Sequence, residues 1–61
     1  MNIEDINLIK TLDEVSELLS MLLLSGSLST SNSRKASILI SEISELKKNI
    51  LMKGFGEDNN D

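Results

Sequence analysis

Asp13, Glu14 and Glu17 cluster within one stretch of the sequence and are side chains that could do acid–base or metal chemistry. Carboxylates at this spacing lie within about one turn of a helix, where two of them can share a proton or a cation. Catalysis needs more: a nucleophile with its base, a poised acid–base pair, or a metal with a full ligand set. The chain contains no histidine, cysteine or tyrosine. That removes the usual zinc, copper and iron–sulfur ligands, and the bases that normally activate a serine. A metal at the acidic trio would need further ligands from elsewhere, so the trio reads as a solvated acidic face. The run Gly54-Phe55-Gly56 is not a phosphate-binding loop; it reads as a helix stop beside the tail GEDNND. Arg34-Lys35-Ala36-Ser37 has the spacing of a basophilic kinase site, a pattern short enough to arise by chance. No catalytic residue, metal or cofactor is expected, and the protein is not read as an enzyme.

Composition narrows what could position any site. A chain of 61 residues holds one domain at most and buries too little surface to stabilise a core easily. Small folds usually add disulfides, a metal or a partner chain; here disulfides are excluded and the usual zinc, copper and iron–sulfur ligands are missing, which leaves a partner chain, identical or different. No proline interrupts the chain, and Phe55 is its single aromatic residue. A core of Leu, Ile, Met, Val and Ala without rings points to helices. The start MNIEDIN lacks the basic region of a signal peptide, and the apolar run LLSMLLL at 18–24 is too short to span a bilayer. A cytoplasmic protein without membrane contact is therefore expected. The net charge of −4 gives no general attraction to nucleic acid.

Two heptad seams organise the chain. Leu8, Leu12, Val15, Leu19 and Leu22 are spaced 4, 3, 4, 3, with Leu12 and Leu19 at a and the others at d. Ala36, Leu39, Ile43, Leu46 and Ile50 repeat the pattern, with Ala36, Ile43 and Ile50 at a. Lys10, Glu17, Ser41 and Lys48 fall at the outermost f positions. The spacing predicts helices over about 3–24 and 32–53. Asn2 can cap the first, Asp5 stands three residues later, and Gly54 can end the second. Residues 1–54 are thus read as a helical hairpin and 55–61 as an acidic, disordered tail.

Between the seams lies SGSLSTSNS, residues 25–33, rich in residues that favour turns and caps over helix interiors. Gly26 can close the first helix, and Thr30, Ser31, Asn32 or Ser33 can open the second. A connection of this length suits an antiparallel hairpin. Charge agrees: residues 1–24 hold five carboxylates against Lys10, and residues 25–54 hold five cations against Glu42 and Glu45. An acidic helix beside a basic one favours this pairing, within a chain or between chains.

The apolar surface exceeds what one hairpin seam needs. Leu18 at g and Ile9 and Leu23 at e flank the first seam, and Ile40 at e widens the second. Such a wide stripe marks a helix with two neighbours, and two hairpins docking as a four-helix-bundle homodimer satisfy it. Leu18, Met21, Leu23, Leu24 and Leu28 crowd the bend and are candidates for binding a further protein.

Chain length, matched heptad seams and a helix stop running into MKGFGEDNND make the layout similar to the Rop family, small plasmid RNA-binding proteins that form a dimer of helical hairpins. The resemblance implies a four-helix bundle. That family reads RNA with basic, polar and aromatic residues of the first helix, where this chain carries Lys10 as its single cation, so no site residue is carried over. Ile43-Ser44-Glu45-Leu46-Lys47 also looks a little like the Ser-x-Glu-Leu-Asp motif of the short aspartyl-phosphate phosphatases of sporulation signalling. It lacks the first Ser and the last Asp, and the activity is not carried over.

The expectation is an all-α hairpin that self-associates, a non-enzymatic regulator or adaptor working through helix-mediated protein binding. A Rop-like dimeric RNA-binding regulator, and a structural assembly module or secretion chaperone, are the alternatives.

Overall fold

The computed structural model describes the backbone of residues 1–60 and the side chains as far as Gly54. Two helices, α1 (Ile3–Ser25) and α2 (Thr30–Asn60), pack against each other as a hairpin. The expected fold class, an all-helical hairpin, is what the structure shows.

The ends of α1 follow the local chemistry. Asn2 sits in extended backbone, and its Oδ1 accepts the Asp5 N–H at 2.8 Å. This satisfies one orphan donor of the first turn, and Glu4 and Asp5 stand at the positive end of the helix dipole. Gly26 terminates α1 in the left-handed region (φ 70°), its N–H reaching the Leu23 carbonyl. Ser25 helps turn the chain: its hydroxyl bonds the Leu22 carbonyl at 2.7 Å and lies 2.8 Å from the Ser27 hydroxyl. The cap of α2 is Ser29, one residue ahead of the expected candidates. Its Oγ accepts the Asn32 N–H at 3.1 Å and its carbonyl accepts the Ser33 N–H at 2.8 Å.

At the other end the expectation fails. Gly54 does not stop α2, which continues through it to Asn60. The side chains of 55–60, and Asp61, lie outside the described residues, so the expected disorder of 55–61 falls largely beyond them. Gly54 is instead a point of close approach. A Cβ built on it would stand 3.5 Å from the side chain of Met1.

The line of contact between the helices is also not the expected one. The less exposed positions on α1 include Asp5, Ile9, Leu12, Ser16, Leu19 and Leu23, again at heptad spacing. On α2 they include Ser33, Ala36, Ile40, Ile43, Lys47, Ile50 and Gly54. In the register above these are a and e, not a and d. Among the described residues Ala36, 5% exposed, is the one hydrophobic side chain that the hairpin buries.

Candidate interaction surface

The d residues of both helices lie off the contact line. Leu8, Val15 and Leu22 each precede an e residue of α1 by one position, and Leu39, Leu46 and Lys53 do the same on α2. One residue is a turn of about 100° on a helix. Antiparallel helices turn in opposite senses when viewed from one end. The same backward step on each therefore leads to the same side of the hairpin.

The forward step confirms the geometry. Asp13, Ser44, Lys48 and Leu51 each follow a seam residue, and all four line one groove on the opposite side. Across that side Lys47 Nζ donates to Asp13 Oδ1 at 2.7 Å, joining the acidic helix to the basic one.

The hairpin therefore has two unlike faces. One carries the b residues Ile6, Asp13, Ser20, Ser37, Ser44 and Leu51, mostly polar. The other carries Leu8, Val15, Leu22, Leu39 and Leu46, which are 38–47% exposed. Leu12, Leu19 and Ile50, half-buried between the helices, lie beside this second face, while Ile43 also lines the groove opposite. All the residues predicted as seam are thus on or beside one open apolar strip, with Ala36 buried beneath it.

The bend-end candidates divide. Leu23 and Leu28 are half-buried, Leu23 in the contact with α2. Leu18, Met21 and Leu24 are 61%, 59% and 87% exposed. Leu18 and Met21 share a shallow depression with Glu14 and Glu17 on the outer side of α1. The acidic trio is split by this arrangement, Asp13 turning to Lys47 while Glu14 and Glu17 face outward. Among the described residues no three acidic, histidine or cysteine side chains come close enough to hold a metal ion. Nor is any helix, over the same residues, long and apolar enough to cross a membrane.

Sequence reasoning missed Ser16, Ser33, Lys47 and Gly54 as hairpin contacts. Their signal was present as a second heptad line, with small residues where the helices approach and a lysine whose long stem can lie along the seam.

Comparison with known protein families, curated proteins and solved structures finds no match to this chain.

Proposed function

We propose that this protein is a small non-enzymatic regulator or adaptor, acting through helix-mediated binding to proteins, and that two copies first join as an antiparallel four-helix bundle. The observation that carries the reading is the open strip of Leu8, Val15, Leu22, Leu39 and Leu46 on one face. Contiguous apolar surface of this kind on a small domain marks an interaction site. The heptad register of the strip fits helices packing on helices. A hairpin that buries so little by itself gains most from a second apolar layer. Leu18, Met21 and Leu24 are offered, in this reading, to a further protein at the bend end.

Light scattering after size exclusion, with helicity followed across a dilution series, tests the association. The expected mass is twice 6.7 kDa, with helicity and mass falling together on dilution. A helical monomer at all concentrations would overturn it. The adaptor role is tested against the RNA-binding alternative by titrating RNA at low and high salt. No binding is expected. Retention that weakens steeply with salt would report phosphate contacts and replace this reading with the nucleic-acid one.

A further inference from the structure

Resting on the self-association proposed above, we infer that the second copy docks on the open face with both bends at the same end, so that each acidic α1 lies against the partner's basic α2. Two-fold docking of this face has two solutions. With the axis parallel to the helices, α1 packs on the partner's α2 and the bends coincide. With the axis across the helices, α1 packs on the partner's α1, α2 on α2, and the bends lie at opposite ends. Both bury the same leucines and isoleucines, so apolar burial does not choose between them. The charges along the edges of the face do.

The Asp13–Lys47 bridge and the approach of Met1 to Gly54 set the register, so that residues of α1 and α2 whose numbers sum to about 55–60 stand at the same level. The outer edges of the face are the g positions: Glu4, Thr11, Leu18 and Ser25 on α1, and Lys35, Glu42 and Asn49 on α2. When like helices pair, the axis passes near Ile43 and sets Glu42 against its own copy. When unlike helices pair, Glu42 meets Leu18, Ser25 meets Lys35 and Thr11 meets Asn49, with no like charges opposed. The helices as wholes repeat this preference. From 3 to 25 the chain has five carboxylates and one cation, and from 30 to 54 five cations and two carboxylates. Like-charge juxtaposition at an interface is what selects against a wrong arrangement. The bundle then carries both copies of Leu18, Met21 and Leu24 toward one pole, as a paired docking surface.

The test uses the full chain with Ser27→Cys, the only cysteine it would contain, in the exposed turn between the helices. A nitroxide is attached there and the intermolecular distance is read by pulsed electron resonance, with helicity and mass checked alongside. Bends together place the labels about a bundle width apart, roughly 20 Å. Bends apart separate them by about the length of α1, roughly 35 Å. The short distance is expected. The long one, in a dimer of unchanged helicity, overturns the bends-together topology and leaves the self-association intact. A monomer without intermolecular coupling overturns both.

Discussion

At the scale of single residues, Gly26 and Gly54 have opposite roles. Gly26 holds φ 70°, a conformation that costs an L-residue about 1 kcal/mol even though open space surrounds its Cβ position. Gly26→Ala should therefore lower stability by about 1 kcal/mol in urea denaturation at fixed protein concentration. No change would mean that α1 does not end there in the left-handed turn. Gly54 lies inside α2, where glycine loses about 0.5–1 kcal/mol against alanine. The added methyl would meet Met1 at 3.5 Å, an ordinary van der Waals contact. Gly54→Ala should raise stability by up to about 1 kcal/mol in the same assay. A loss would place Met1 closer than this, or end the helix at Gly54 as its sequence context suggests.

At the scale of the helices, the elements were largely legible and their contact line was not. Heptad spacing announced two helices, Asn2 and Gly26 announced where the first begins and ends, and the Ser-rich run announced a reversal. Gly54 misled because the left-handed stop signal of a glycine is indistinguishable in sequence from a glycine that admits a neighbour closely. The largest side chains misled in another way. A stripe of leucines reveals that a face is buried but not by which neighbour. Here Ser16, Ser33, Ala36 and Gly54 let the helices approach on the a/e line, and the d leucines stay partly exposed. Lys47 stands on that line and Asp13 beside it, their side chains 36% and 56% exposed. Partly solvated pairs contribute little, so a double-mutant cycle with Asp13→Ala and Lys47→Ala should give a coupling of at most about 1 kcal/mol, shrinking as salt is added. A coupling of several kcal/mol, insensitive to salt, would mean that the polar face is covered and desolvated, and would move the interface to the opposite side of the hairpin.

At the scale of the molecule, the question is whether the open strip is surface or core. Leu46 separates the two because its environment differs so much between them. In the lone hairpin it is 46% exposed, and a lysine there keeps its charge in water at small cost. Inside a bundle the same lysine, present twice, would be buried without a partner. Leu46→Lys should then weaken association on the order of a thousandfold, the result of roughly 2 kcal/mol per copy. Light scattering on a dilution series would read this as a shift of the dimer–monomer transition to much higher concentration. Helicity should fall with it, because a hairpin with one buried hydrophobic side chain among the described residues has little to hold it once the second layer is gone. Leu24→Lys provides the contrast: Leu24 is 87% exposed and lies away from the strip, so mass and helicity should stay as in the parent chain. If both variants behaved like the parent, the d leucines would be solvent-facing in solution. If Leu24→Lys alone disrupted the mass, the association would run through the bend end instead, and the strip would become the surface offered to other proteins.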